Sequence, residues 1–180
     1  MRTLFGEVQL ERADPQAGAR RNEARWRGSG RHWETPWDLF QELDDEFHFT
    51  LDPCATDQTA KVSRYFTEKQ NGLLQSWKDE RVFMNPPYGK ELPSWTRKAK
   101  RASIEEGAMV VGLLPASTDS AWFHTDVWQI AEVRFMRGRV RFKVGKTWAS
   151  PFQPTMIAIW KPMWLKPFDK PELLTLLRRG

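Results

Sequence analysis

The period of apolar positions changes several times along the chain, and each change predicts an element. Leu39, Phe40, Leu43 and Phe47 recur at helical spacing. Ahead of them, Thr35-Pro36-Trp37-Asp38 reads as a helix start, with Thr35 as N-cap and Pro36 at the first helical position. Phe47, Phe49 and Leu51 then alternate, which predicts a strand ending at Asp52-Pro53. Residues 81–84 (Arg-Val-Phe-Met) predict a short apolar strand running into Asn85-Pro86-Pro87-Tyr88. Residues 93–104 predict a helix with Trp95, Ala99 and Ala102 inward and Arg97, Lys98, Lys100 and Arg101 outward. Residues 108–114 are apolar throughout, as in fully buried strands of parallel sheets. Phe123, Val127 and Ile130 predict another helix, Val133 and Phe135 open a strand, residues 155–160 form the last strand, and Pro171 starts a short helix. Strands alternating with helices predict an α/β sheet covered by helices on both faces.

No such period survives in residues 1–31, which are rich in Arg, Gly and Ala and predict a flexible basic arm ahead of one folded domain over residues 32–180. With 180 residues and 40% hydrophobic content, the chain can bury one substantial core. There is no apolar run of about 18 residues and no basic-then-apolar leader, so a cytoplasmic protein without a membrane span is expected. Cys54 is the one cysteine, which excludes an intrachain disulfide. With no Cys-x-x-Cys or His-x-Glu pattern, and His32, His48 and His124 scattered, no metal is expected. The net charge of +5 favours an anionic partner, most often nucleic acid.

Ligands of open α/β sheets sit beyond the carboxyl ends of the strands. Two predicted strands end there in turns that carry chemistry, Asp52-Pro53-Cys54-Ala55 and Asn85-Pro86-Pro87-Tyr88. The second matches the needs of methylating the exocyclic N6 amine of adenine. That nitrogen's lone pair is delocalised into the ring, and two acceptors taking its hydrogens would free it. Asn85 can offer its side-chain carbonyl oxygen and Pro86 its backbone carbonyl, while Pro86 and Pro87 stiffen the loop and lack N–H groups. Tyr88 offers a flat face for the base, a contact worth about 1–3 kcal/mol. An adenine in a duplex must leave the stack to reach such a pocket. An Asn/Asp/Ser-Pro-Pro-aromatic run should arise by chance in under about 1% of chains of this size, which favours function over a bare strand-capping turn. Asp52 could hold the amino group of a methyl donor or cap the next helix, and Ala55 would let backbone approach a cofactor.

At these residues the chain resembles the phage-type DNA N-6-adenine methyltransferase (Dam) family. The resemblance runs from about Trp33 to Trp160 and rests on Trp33-Glu34-Thr35-Pro36, Leu51-Asp52-Pro53-Cys54-Ala55, Asn71-Gly72-Leu73, Trp77, Asn85-Pro86-Pro87-Tyr88-Gly89, Leu114-Pro115-Ala116 and Arg137-Gly138-Arg139. It implies a shortened Rossmann-like S-adenosylmethionine-dependent methyltransferase sheet over residues 32–180. It also implies a site-specific enzyme acting on a flipped adenine in double-stranded DNA. Thr35 and Pro36 match the segment closing over S-adenosylmethionine, Asp52, Pro53 and Ala55 the cofactor loop, and Asn85, Pro86, Pro87 and Tyr88 the catalytic motif. Asn71 stands where many members carry an Asp that meets the adenine of the donor. The chain departs from the family in two ways. Ala55-Thr56-Asp57 lacks the usual glycines. Only 33 positions (85 − 52) separate Asp52 from Asn85, where two further βα units would take about 60 residues at ~30 per unit. The sheet is thus expected to be short, with Arg64-Tyr65-Phe66-Thr67 as its remaining extra strand. Asp57 and Glu68 both stand as candidates for the ribose carboxylate.

Cations and aromatics interleave from Arg134 to Lys143, and Lys146, Trp148 and Phe152 extend the pattern. An extended segment would put Arg137, Arg139 and Arg141 on one face, either as a DNA-binding ribbon or as an ordinary charged hairpin. Two other functions share these features. The same Asn-Pro-Pro-Tyr chemistry serves methylation of RNA bases or of a protein glutamine amide, although the latter normally brings an extra domain. A catalytically silent DNA-binding protein on this scaffold is the other, and intact Thr35, Asp52, Asn85 and Tyr88 speak against it.

Overall fold

The computed structural model describes residues 33–162. The expected basic arm and the helix starting at Pro171 lie outside them. Within the described residues the fold is mixed α/β. Helix α1 (Trp37–Phe47) leads through an irregular stretch and a 3-10 turn (Gly72–Leu74) to strand β1 (Arg81–Met84). Helix α2 (Leu92–Glu105), strand β2 (Met109–Pro115) and a π-helical turn (Phe123–Val127) follow. Strand β3 (Glu132–Phe135), the hairpin β4 (Phe142–Val144) and β5 (Thr147–Ala149), and strand β6 (Thr155–Trp160) complete it.

The main sheet has the order β1-β2-β6-β3 and is mixed, not all parallel. β1 and β2 are parallel, whereas β6 runs antiparallel to both of its neighbours, β2 and β3. Single parallel bridges continue the sheet past β1, from Val82 to Leu51 and from Asp52 to Tyr65. Side chains alternate across the sheet with period two. Val82, Met84, Val110, Leu114, Met156, Ala158 and Trp160 face α2, the π-turn and Trp77. Phe83, Val111, Leu113, Ile157 and Ile159 face Leu39, Phe40, Leu43 and Phe47 of α1. Helices therefore cover both faces, as the sequence predicts, and β2 and β6 are buried along almost their whole length. Gly112 belongs to this pattern: a Cβ there would come within 3.0 Å of Met84 Cε and 3.2 Å of the Trp160 ring.

The expected strand from Phe47 to Leu51 is cut short. Phe47 completes the last turn of α1, His48 takes a left-handed φ of 52°, and its N–H donates to the Asp44 carbonyl at 2.7 Å. The Phe49 amide is taken by Asp44 Oδ1 at 2.7 Å. Only Thr50 and Leu51 remain to pair with β1, through their amides on the Arg81 carbonyl and the Phe83 amide on the Leu51 carbonyl, while Asp52 pairs with Tyr65. Arg64-Tyr65-Phe66-Thr67 shrinks in the same way to one bridge and its flanking bonds. The helix expected through Ile130 stops as a π-turn, because the Trp128 amide closes back on the Phe123 carbonyl and Gln129 adopts a positive φ. Residues 136–141 form no strand; the chain turns at Gly138, with φ 82°, before β4 begins.

One close approach in the irregular stretch from residue 50 to residue 80 requires a glycine. A Cβ on Gly72 would lie 2.0 Å from the Pro53 carbonyl oxygen. The Gly72 carbonyl in turn accepts the indole N–H of fully buried Trp77 at 3.0 Å. Trp77 stacks on Trp95 of α2, with ring centroids 6.3 Å apart. Gly72→Ala should therefore destabilise the protein by about 1–3 kcal/mol, because the obstructing atom is backbone and cannot rotate away. Urea unfolding measures it; an unchanged midpoint would mean that residues 53 and 72 separate at little cost.

Candidate active site

The sequence motifs converge at the carboxyl end of β1. This strand ends at Met84, and its last partner on β2 is Gly112, so Leu113 lies beyond the β1 ladder. The chain then enters Asn85-Pro86-Pro87-Tyr88. The Tyr88 hydroxyl donates to the Leu113 carbonyl at 3.2 Å, which folds the loop back over the end of β2. Burial pushes that hydroxyl well above its ordinary pKa, so Tyr88 remains neutral and serves as a tethered ring. Pro86 is buried and Pro87 exposed, with Asn85 half-buried between loop and core.

Asn85 reaches residues about 50 positions earlier. Its Nδ2 donates to the Trp33 carbonyl at 2.7 Å and to Thr35 Oγ1 at 3.1 Å. Thr35 is 2% exposed. This corrects the expected helix start. Pro36, not Thr35, is the residue capping α1, and no side chain caps the helix. The Thr35 hydroxyl serves Asn85 instead. Glu34, between Trp33 and Thr35, pairs antiparallel with Lys143 of β4 through two 3.0 Å backbone bonds. Its carboxylate bridges Lys61 at 3.3 Å and Lys143 at 3.7 Å.

The Asp52 loop lies alongside. Asp52 is 4% exposed, and its carboxylate accepts from the Cys54 amide at 3.4 Å and the Lys61 amide at 3.3 Å. Desolvation outweighs these bonds and the nearby Lys61 charge, and pushes the carboxyl pKa up to about 6. The Cys54 thiol faces the Asn85 backbone amide. Burial, with Asp52 beside it, raises that thiol well above its usual range, so it stays protonated and is no nucleophile. Ala55 is buried, and its amide donates to the Phe66 carbonyl at 3.1 Å. Asn71 caps the 3-10 turn, its Oδ1 accepting from the Leu73 amide at 3.2 Å, with its backbone in the left-handed region at φ 51°. Through Gly72 it stands against Pro53. Of the ribose candidates, Asp57 accepts from the Tyr65 hydroxyl at 3.0 Å and Glu68 is exposed.

Thr35 is thus bonded to Asn85, the Asp52 loop comes to Asn85 through Cys54, and Pro53 rests on Gly72, next to Asn71. The three arginines are not part of this cluster. Arg137 and Arg141 are exposed, and Arg139 Nη1 donates to the carbonyls of Pro151 at 3.0 Å and Phe152 at 2.6 Å. They do not share one face of an extended ribbon, since the chain turns at Gly138. Sequence reasoning passes over two residues. Lys61 is a buried lysine whose ammonium lies 4.1 Å above the Trp37 ring, and burial lowers its pKa against the pull of Glu34. Gly72 stands in the motif Asn71-Gly72-Leu73, but its close approach to Pro53 is tertiary and leaves no mark on the sequence. Among the described residues no three His, Cys, Asp or Glu side chains gather as a metal site, and no helix is long and apolar enough to cross a membrane.

A sequence model of DNA N-6-adenine-methyltransferase (Dam) matches residues 26–173. The DNA N-6-adenine-methyltransferase of Haemophilus phage HP1 (strain HP1c1) is 30% identical over 136 residues, covering 72% of this chain and 78% of the phage protein. Match and motif order agree over the same stretch, and the chain belongs to the DNA N-6-adenine-methyltransferase (Dam) family, enzymes that methylate adenine in DNA.

Proposed function

We propose that the protein transfers a methyl group from S-adenosylmethionine to the N6 amine of an adenine flipped out of double-stranded DNA, on a shortened Rossmann-like sheet. One observation carries the reading. Both amide hydrogens of Asn85 are engaged by Trp33 and Thr35, and among the described residues no hydrogen bond reaches its Oδ1. That oxygen, beside the Pro86 carbonyl, is an acceptor pair suited to an exocyclic amine. Accepting both N6 hydrogens withdraws the nitrogen lone pair from ring conjugation and directs it outward as the nucleophile. Tyr88, tethered by its hydroxyl, offers its ring to the base, and Pro86 and Pro87 keep the acceptors from relaxing away. A protein amide substrate has no comparable need for basic exposed residues, and the family match favours DNA.

The chemistry of the Asp52 loop fits the methyl donor. Asp52 is a buried carboxylate with one long backbone bond to each oxygen, and the neighbouring Lys61 ammonium is engaged by Glu34. A donor ammonium would supply the missing partner. Asp52, Pro53 and Ala55, with Pro36, Asn71 and the backbone of Thr35, whose hydroxyl is engaged by Asn85, are the residues that would hold S-adenosylmethionine. When bound, it supplies a methyl group already activated on a sulfonium, so the reaction asks no metal of the protein. Arg137, Arg139 and Arg141 would contact the DNA backbone from the segment between β3 and β4.

Asn85→Ala should lower kcat by at least about 100-fold, the scale of removing one pre-aligned polar group at the reacting atom. S-adenosylmethionine affinity should stay within a few fold, since Asn85 touches the amine and not the donor. Single-turnover assays with titration calorimetry separate the two, and an active variant would overturn the catalytic assignment.

Asp52 makes donor binding pH-dependent. Its pKa of about 6 in the folded state lies above the unfolded value. Its contribution to stability is therefore present at low pH and is lost as pH rises through 6. Donor-free Asp52→Asn should be more stable than wild type at pH 8, by up to about 3 kcal/mol, yet bind S-adenosylmethionine more weakly. In the wild type, affinity should fall by up to about tenfold per pH unit below 6, because binding then requires loss of a proton. Flat affinity between pH 5 and 8 would remove Asp52 from the donor site.

Replacing Arg137 or Arg141 with Ala should reduce the log–log salt slope of DNA binding by about 0.9 for each phosphate no longer neutralised. Arg139→Ala should in addition lower thermal stability, because it frees the Pro151 and Phe152 carbonyls. Equal slopes in all four proteins would mean that this segment is structural.

A further inference from the structure

A primary amide has two nearly isosteric orientations, related by a half-turn that exchanges oxygen and nitrogen. Only one of them turns an acceptor towards the substrate amine. At Asn85 the choice is made by its surroundings on one side. The Trp33 carbonyl at 2.7 Å and Thr35 Oγ1 at 3.1 Å both accept from Nδ2. A half-turn would set Oδ1 against the Trp33 carbonyl oxygen, two acceptors with no hydrogen between them. Thr35 is 2% exposed, so water has little access to replace its hydroxyl. The segment that carries these acceptors is fastened on its other side. Glu34 exchanges two 3.0 Å backbone bonds with Lys143 of β4. Its carboxylate meets the buried Lys61 ammonium at 3.3 Å, and that ammonium lies over the Trp37 ring.

We propose that residues 33–35 form a positioning strap whose Trp33 carbonyl and Thr35 hydroxyl hold the Asn85 amide with Oδ1 towards the target amine. The inference rests on the reading of Asn85 as the acceptor for N6. The Trp33 carbonyl, which can only accept, selects the orientation, and the Thr35 hydroxyl holds the amide in place, a duty distinct from holding the methyl donor. It also explains why residue 85 is an amide here. A carboxylate has no hydrogen to give the Trp33 carbonyl, so an aspartate would face that oxygen unpaired.

The test compares Thr35→Val, Thr35→Ser and Asn85→Asp with wild type, using kcat at saturating S-adenosylmethionine and DNA together with calorimetric affinity for S-adenosylmethionine. Thr35→Val keeps the shape of the side chain and removes the acceptor. It should lower kcat about three- to tenfold, the scale of one net hydrogen bond, with donor affinity within twofold. Thr35→Ser, which restores the acceptor, should recover most of that loss. Asn85→Asp should lose at least tenfold in kcat at pH 7.5 and carries the test should Thr35→Val fail to fold. Wild-type kcat in Thr35→Val overturns the proposal, as does a weakened donor affinity with kcat unchanged at saturation, or full activity in Asn85→Asp. A fully active Asn85→Ala is a different failure, since it removes residue 85 from catalysis whatever Thr35 does.

Discussion

Burial of one sheet on both faces is the constraint on which the site depends. β2 and β6 contribute side chains alternately to two apolar layers, and a shift of one residue in either would exchange Val111 and Leu113 with Val110 and Leu114 across the sheet. Gly112 sharpens this, since Met84 and Trp160 fill the space where a side chain would stand. With the register fixed, β1 must end opposite Gly112, and the four residues after Met84 must turn above the end of β2. The Leu113 carbonyl, left without a β1 partner, is then available to the Tyr88 hydroxyl. The loop proposed as catalytic is thus located by the packing of the sheet beneath it.

Charge burial near the site follows a different rule. Lys61 and Asp52 are both largely withdrawn from water, and they are joined through the Lys61 backbone amide on the Asp52 carboxylate. The Lys61 ammonium is compensated by Glu34 and by the face of Trp37. Asp52 has no comparable partner among the described residues, and its carboxyl pKa rises to about 6. A buried ion without a counter-ion costs several kcal/mol. The asymmetry between these neighbours makes sense if one charge is structural and the other is kept for a ligand: Lys61 secures the strap, and Asp52 is left able to receive a cation.

How legible each part is depends on how local its cause is. β1, β2 and β6 are read directly from their apolar runs, and α1 and α2 from their helical stripes, because these patterns answer to burial alone. The direction of β6 is not legible; a buried strand looks the same in either orientation, and the mixed sheet appears only in three dimensions. Thr35 reads as a cap because Thr before Pro has that local meaning, whereas its hydroxyl is claimed by a residue 50 positions away. The strand expected from Phe47 fails for a local reason that periodicity does not register: Asp44 takes the two amides after the helix through its carbonyl and its carboxylate. At the site, Asp52, Asn71 and Asn85 are legible from motif and position. Gly72, Lys61 and the Glu34–Lys143 clasp are not, since each acts through a partner distant in sequence.

The shortness of the segment between Asp52 and Asn85 connects these observations. With 33 positions between them, the chain has no room for further helical layers to separate and support its loops, so the loops support one another. The Leu51 carbonyl receives the Phe83 amide, Cys54 faces the Asn85 amide, and Pro53 rests on Gly72, which is held by Trp77. Such a site has few independent parts. A change at Gly72 is transmitted through Pro53 to the carboxylate next to it, and a change at Thr35 is felt at Asn85 on the far side of the same cluster. Compactness of this kind replaces the rigidity that longer βα units would supply. It also concentrates the fold's least tolerant positions around the two side chains, Asp52 and Asn85, proposed to carry the chemistry.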